Sequence, residues 1–189
     1  MPPTDPVGHP AVIELRQYTL RPGRRDELIE LFDKEFVETQ EEAGMSVLGQ
    51  FRDLDDPDRF VWLRGFRDMA ARHRALTAFY DGPVWAKHGP QANATMTDSD
   101  DVPAERPQFG APAPDCFVSV TMWSFPPGRS DGVTLIRDGL LPVLHTTGPA
   151  PLAALTTETA HNTFPRLPLR TGENLAVVFA SYPDERTYQ

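Results

Sequence analysis

Tyr18-Thr19-Leu20-Arg21-Pro22-Gly23 recurs 105 positions later as Trp123-Ser124-Phe125-Pro126-Pro127-Gly128. In both places an aromatic-led strand end runs into a Pro-Gly turn. Val61-Trp62-Leu63-Arg64-Gly65-Phe66-Arg67-Asp68 recurs 116 positions later as Val177-Val178-Phe179-Ala180-Ser181-Tyr182-Pro183-Asp184. The 11-residue growth in offset marks a longer hairpin connection in the second copy, around Phe164-Pro165-Arg166-Leu167-Pro168. The chain therefore carries two copies of one unit.

The first copy gives the unit's order. Val12–Leu20 alternates Ile13 and Leu15 with Glu14, Arg16 and Tyr18, the period of a strand. After the Arg21-Pro22-Gly23 turn, Arg24–Glu42 reads as a helix whose apolar stripe is Leu28, Leu31, Phe32 and Phe36. Gly44 stops it. Met45–Arg52 and Arg59–Phe66 are two strands joined by the acidic stretch 53–58. That stretch lacks the central glycine and distal glutamate of a calcium loop, so it reads as a hairpin turn. A second helix starts near Asp68 and runs to Tyr80. Asp81-Gly82-Pro83 breaks it, and a short helical turn follows through Trp85. A fourth strand is expected at Asp98–Arg106. The order β-α-β-β-α-β is ferredoxin-like, so the fold class is α+β, tandem ferredoxin-like repeats. The expected boundaries are a disordered leader at 1–11, a first repeat at 12–106, a Pro-rich linker at 107–115 and a second repeat at 116–189. Strands of the second copy are expected at 117–125, 152–159 and 174–181. Asp184, the counterpart of Asp68, lies five residues from the last one. The second repeat thus reads as incomplete, lacking a helix and a strand of roughly 30 residues.

Composition excludes several classes. The 189 residues are 40% hydrophobic and 24% charged, a globular balance. The formal charge of −9 argues against nucleic acid and anionic membranes, which need a basic face. No window approaches a membrane span, and the N-terminus has no secretory pattern. The lone Cys116 excludes an internal disulfide framework. A cytoplasmic setting is expected.

Glu14-Leu15-Arg16-Gln17-Tyr18-Thr19-Leu20-Arg21-Pro22-Gly23 resembles the NIPSNAP family, within the dimeric α/β-barrel superfamily. Val61–Met69, Phe79–Trp85 and Asn162–Pro168 support the resemblance, which spans about residues 12–189. It implies a barrel with a ligand-sized interior. It names no single activity, because relatives in the superfamily include cofactor-independent monooxygenases, haem-degrading enzymes, dehydratases and cyclases.

In such a fold one sheet face meets the helices and the other lines the barrel. Period two places Ile13 and Leu15 toward the helices. Glu14, Arg16 and Tyr18 then face the barrel interior with Trp62 and Arg64. In the second copy Val118, Val120 and Met122 take the helix side, and Ser119, Thr121 and Trp123 the cavity side. A one-residue shift would exchange the sets. Glu14 is the candidate base if burial raises its pKa, although an ion pair with Arg16 is the plainer reading. Arg16 and Arg64 suit an anionic substrate group. Tyr18, Trp62, Trp85 and Trp123 suit the walls of an aromatic pocket. His88 and His161 are placed at the pocket rim. Glu158, His161 and Asn162 form a candidate acid/base cluster on the long connection, with hairpin hydrogen bonding as the alternative. Asn93 is a candidate polar cavity group. No histidine pair has metal-ligand spacing, and neither metal nor cofactor is expected.

The leading expectation is a cofactor-independent, monooxygenase-, dehydratase- or cyclase-like enzyme on a small hydrophobic or aromatic metabolite. A non-catalytic ligand-binding or scaffolding module is the alternative, and a haem-binding barrel through His73 or His88 a third. Self-association as a homodimer or higher homo-oligomer is expected from the sheet edge that an incomplete second repeat would expose.

Overall fold

Arg21-Pro22-Gly23, which ends the first strand, closes as the sequence requires: Gly23 adopts φ +75°, and its N–H donates to the Asp58 carboxylate at 2.8 Å. The computed structural model describes residues 10–105, 116–126, 131–147, 150–167, 169 and 172–188. Most of the expected leader at 1–11, and the linker at 107–115, lie outside the described residues. The chain divides into two compact units, 1–103 with 159–170, and 104–158 with 171–189.

The first unit runs β1 (Val12–Leu20), α1 (Arg25–Leu31), a π-helical turn (Phe32–Phe36), α2 (Val37–Glu42), β2 (Ser46–Arg52), β3 (Arg59–Phe66), α3 (Met69–Tyr80), α4 (Pro83–Thr95) and β4 (Met96–Glu105). Its strands lie in the order β2-β3-β1-β4. β3 pairs antiparallel with both β1 and β2. This is the α+β, ferredoxin-like arrangement. Asp68 caps α3 by accepting the Ala71 N–H at 2.6 Å. The acidic stretch between β2 and β3 is a self-bonded turn: Asp53 Oδ1 accepts the N–H groups of Asp55 and Asp56.

The helix expected at 24–42 is interrupted. At its centre the Val37 N–H reaches back to the Phe32 carbonyl, a π turn. A larger correction concerns α4. The short turn expected through Trp85 is a 13-residue helix with Pro83 in its first turn and Pro90 inside it. Pro90 removes one helix hydrogen bond, yet Trp85, Gly89 and Ala92 share the buried side and hold the segment to the core.

The second unit runs β5 (Phe117–Phe125), α5 (Asp131–Thr134), a second π-helical turn (Leu135–Leu140), α6 (Leu141–Thr147), β6 (Ala150–Thr157), β7 (Asn174–Tyr182) and α7 (Glu185–Tyr188). β7 pairs antiparallel with β5 and β6. Asp184 caps α7 by accepting the Thr187 N–H at 2.9 Å, repeating the role of Asp68. The repeat read from sequence thus extends to the π turn and the aspartate cap.

Face assignment is reversed in both units. Tyr18, Phe60, Trp62 and Phe66 pack with Leu28, Phe32, Phe36, Leu76 and Phe79, so the Glu14, Arg16, Tyr18, Trp62 and Arg64 face meets the helices. Ile13, Leu15, Val61 and Leu63 occupy the opposite face. In the second unit Trp123 and Phe125 pack against Ile136, Leu140 and Leu144, while Val120 and Met122 are exposed. The reason is physical. Ile13 and Leu15 are as buried as Glu14, so β1 is covered on both faces and its alternation does not distinguish them.

Candidate functional site

Glu14 and Arg64 are direct register partners on β1 and β3, which brings their side chains together on the helix-facing side. Arg64 Nε donates to Glu14 Oε2 at 2.6 Å. Arg72, descending from α3, donates its Nε to Glu14 Oε1 at 2.5 Å. All three side chains are wholly buried. Burial alone would raise the Glu14 pKa, but Arg64, Arg72 and Arg16 outweigh it and hold the carboxyl at about 2, against an ordinary 4.5. Burial likewise works against the Arg64 charge, and Glu14, Tyr80 and Tyr18 together outweigh it, so the Arg64 pKa is raised. Glu14 is therefore an anchor that stays ionised near neutrality. The general-base role expected of it fails, because a carboxylate held so acidic is a poor proton acceptor near neutrality.

The outer ends of the two arginines diverge. Arg64 Nη1 reaches Gln40 Oε1 at 3.5 Å, and its Cζ lies 5.2 Å from the Trp62 ring centroid and 5.7 Å from that of Phe66. Arg72 Nη1 donates to Asn162 Oδ1 at 3.0 Å and Thr163 Oγ1 at 3.3 Å. Residues 162–167, from the connection between β6 and β7, thus fold onto α3. Phe164 is buried there, stacked on Tyr80 with centroids 5.7 Å apart, and Arg166 pairs with Asp81.

Beside this charged cluster, between sheet and helices, is an aromatic cavity. Its walls are Tyr18, Trp62, Phe32, Phe36, Phe79, Tyr80 and Trp85, with Leu28, Gln40, Ala92 and Met96 completing it. It is slender: about 20 Å³ is open to the centre of a water molecule, room for one or two waters. The π turn supplies Phe32 and Phe36, whose rings meet edge to face at 6.1 Å. Phe32 also sits 4.6 Å from the Trp62 ring. Trp85 lies against the bare backbone of Gly89, where an added Cβ would come within 2.7 Å of the indole.

Of the residues picked out from sequence, Tyr18, Trp62 and Trp85 line this cavity, and Arg64 stands directly behind its wall. Arg16 is buried with its guanidinium 5.3 Å from the Tyr18 ring. His88 is not on a loop. It sits on α4 with its Nε2 3.4 Å from Glu35 Oε2, and neither residue lines the cavity. Asn93 is exposed on α4, outside the cavity. His161 is exposed. Asn162 is engaged in a turn, accepting from Arg72 and the Phe164 N–H and donating to the Leu167 carbonyl, which is the hairpin-bonding alternative to a catalytic role. Glu158 and Trp123 belong to the second unit, where Trp123 is half-buried in the helix-facing core. His73 is tied to the Thr163 carbonyl at 2.6 Å.

Arg72, Gln40 and Tyr80 were not anticipated, yet two carried a signal. Arg72 falls on the same helical stripe as Ala75, Leu76 and Phe79, a charge at a core position. Gln40 continues the Leu28, Phe32, Phe36 row. Among the described residues no group of three or more His, Cys, Asp or Glu side chains converges to hold a metal ion. No helix among them is long and apolar enough to cross a membrane.

Fold and site define a class: an α+β, ferredoxin-like protein with an aromatic cavity between the sheet and helices of its first unit. The NIPSNAP family model matches residues 13–101, nearly half of the chain, and it is the first unit that resembles the NIPSNAP family. Among the solved structures similar to the chain are the following. A NIPSNAP family protein of unknown function from Agrobacterium tumefaciens is 18% identical over 54% of this chain and 93% of its own, with a TM-score of 0.49. A NIPSNAP-like domain protein from Burkholderia xenovorans is 23% identical over 56% and 93%, with a TM-score of 0.49. A "putative monooxygenase" from Lactobacillus acidophilus is 13% identical and spans far more: 95% of this chain and 80% of its own, with a TM-score of 0.61. At that identity the likeness is one of fold. No curated protein matches the chain.

Proposed function

We propose that the first unit binds a small, flat hydrophobic molecule in the cavity between its sheet and its helices. The observation that carries this is the wall itself: seven aromatic side chains from β1, β3, the π turn, α3 and α4 converge on one space. Aromatic-lined clefts with few polar groups are the usual form of small-molecule sites. The cavity is narrow as it stands, so a ring-sized ligand enters by rotation of side chains such as Trp85, which sits on α4 at the outer wall.

The enzymatic form of this reading is a cofactor-independent conversion of that ligand. It draws support from the fold likeness to the Lactobacillus acidophilus protein. The Tyr18 and Tyr80 phenols are wall groups able to exchange a proton with a bound substrate. The lone Cys116 and acidic charge fit a reducing, cytoplasmic setting.

Filling the cavity tests the binding reading. Ala92 is buried on the wall, and the three carbons added by Ala92→Leu fill the space. Binding of a naphthalene probe, followed by tryptophan fluorescence, is expected to weaken by about tenfold or more, as for a site lost to methylene-sized clashes. Unchanged probe affinity in a folded Ala92→Leu protein rejects the cavity as the site.

A further inference from the structure

We infer that the molecule taken by this cavity carries an anionic oxygen, a carboxylate or an enolate, and that Arg64 is the cation that selects it. The inference rests on the cavity being the binding site and adds the charge and the residue.

The charges do not balance within the cluster. Two guanidinium groups, Arg64 and Arg72, share one carboxylate, Glu14, with all three side chains inaccessible to water. One buried carboxylate between two buried cations leaves a positive excess, which is costly unless a further anion joins it. The orphaned hydrogen-bonding atoms agree in sign. Arg64 Nη2, Arg72 Nη2 and Trp62 Nε1 are buried with no acceptor, and all three are donors. A neutral donor ligand would satisfy none of them, whereas an acceptor oxygen would. Gln50 Oε1 is a buried acceptor without a partner, but its side chain belongs to β2 and is bound to Asp33 through its amide.

Position separates the two arginines. Arg72 spends its second arm on Asn162 and Thr163, away from the cavity. Arg64 spends its second arm on Gln40, a cavity-wall residue, at the long distance of 3.5 Å. It also lies over Trp62, another wall residue, whose own indole N–H is buried without an acceptor. Glu14 meanwhile fixes Arg64 through Nε, so the guanidinium is held in place by one edge and has a donor left on the other. A planar anion with an attached ring matches this arrangement: ring among the aromatics, oxygen toward Arg64 and Trp62.

The test compares benzoate with benzyl alcohol, the same ring with and without the charge, on the full chain at neutral pH. The three tryptophans give three indole N–H signals in a nitrogen-15 correlation spectrum, with Trp62 assigned by its loss in Trp62→Phe. Benzoate is expected to bind about tenfold more tightly than the alcohol and to move the Trp62 signal, the gain of a charged over a neutral hydrogen bond. In Arg64→Met the preference should collapse while alcohol binding persists. In Arg72→Met it should remain, although that residue is equally buried and equally paired, so a purely structural role predicts the two variants to act alike. Should Arg64→Met fail to fold, Arg64→Lys keeps a charge for Glu14 but has no second arm, and the preference should fall by about threefold or more. Equal affinities for the two probes overturn the inference and leave the cavity reading standing. A preference that survives Arg64→Met or Arg64→Lys overturns the assignment to Arg64. If neither probe moves the Trp62 or Trp85 signal, the cavity reading itself falls.

Discussion

Replacing Glu14 with glutamine should unfold the first unit far more readily than removing either arginine that it holds. Glu14→Gln keeps the shape of the side chain and deletes the charge that faces Arg64 Nε at 2.6 Å and Arg72 Nε at 2.5 Å. Two buried guanidinium groups then have no carboxylate between them. Breaking a buried ion pair by removing one partner typically costs about 3–5 kcal/mol. The pKa gives an independent figure. A drop from 4.5 to about 2 corresponds to about 3 kcal/mol of stabilisation at about 1.4 kcal/mol per unit. The raised Arg64 pKa is the same attraction seen from the other side and is not counted again. Arg64→Met, in contrast, leaves Glu14 paired with Arg72 and removes an excess cation, so its cost should stay near about 1–2 kcal/mol, mostly lost packing. Urea titration of the three proteins measures the difference. A Glu14→Gln protein within about 1 kcal/mol of the parent, or an Arg64→Met protein equally destabilised, would refute the reasoning. The pH dependence has a definite sign. The folded-state pKa lies below the unfolded one, so between about 2 and 4.5 the unfolded chain holds the proton more tightly. The Glu14 contribution is complete above about 4.5 and is lost as the pH falls through about 2; Glu14→Gln should lack this acid limb.

Gly89→Ala should push Trp85 off the cavity wall, since the new Cβ would lie 2.7 Å from the indole; near-ultraviolet circular dichroism should change, and stability should fall by about 1–3 kcal/mol. An unaltered aromatic spectrum would count against the packing described. Asn162→Ala removes the acceptor for Arg72 and for the Phe164 N–H, and should loosen the 162–167 segment by about 1–3 kcal/mol, read as faster amide exchange there; unchanged exchange would show that Phe164 alone anchors it. Self-association is proposed through β5, an edge of the second unit's sheet among the described residues, where Val120 and Met122 are exposed. Light scattering should report a mass above 21.1 kDa, reduced by Met122→Lys, and a strict monomer at high concentration would reject it.

Local pattern determined a good deal of this protein. The duplicated Pro-Gly turn and the duplicated strand before Asp68 and Asp184 specify two copies of a β-α-β-β unit, because turns, caps and periodicity are set by neighbours in the chain. The same alternation correctly grouped Glu14, Arg16 and Tyr18 on one side of β1, and the register partners Trp62 and Arg64 on the matching side of β3. Which side met the helices was decided only in three dimensions. Both faces of these strands are buried, so period two has no water-facing half to orient it. The helix at 83–95 was hidden for a related reason: Gly89 and Pro90 are local breakers, and only burial of Trp85 and Ala92 against the core outweighs them. The acid/base cluster expected of Glu158, His161 and Asn162 rested on closeness in sequence. Folding instead spends Asn162 on Arg72, 90 positions away. Conversely, Arg72 and Gln40 entered the site from helix positions that looked like core. A buried polar residue on an apolar stripe is legible in sequence, but its partner across the fold is not, because that pairing depends on strand register and helix docking rather than on any neighbouring residue.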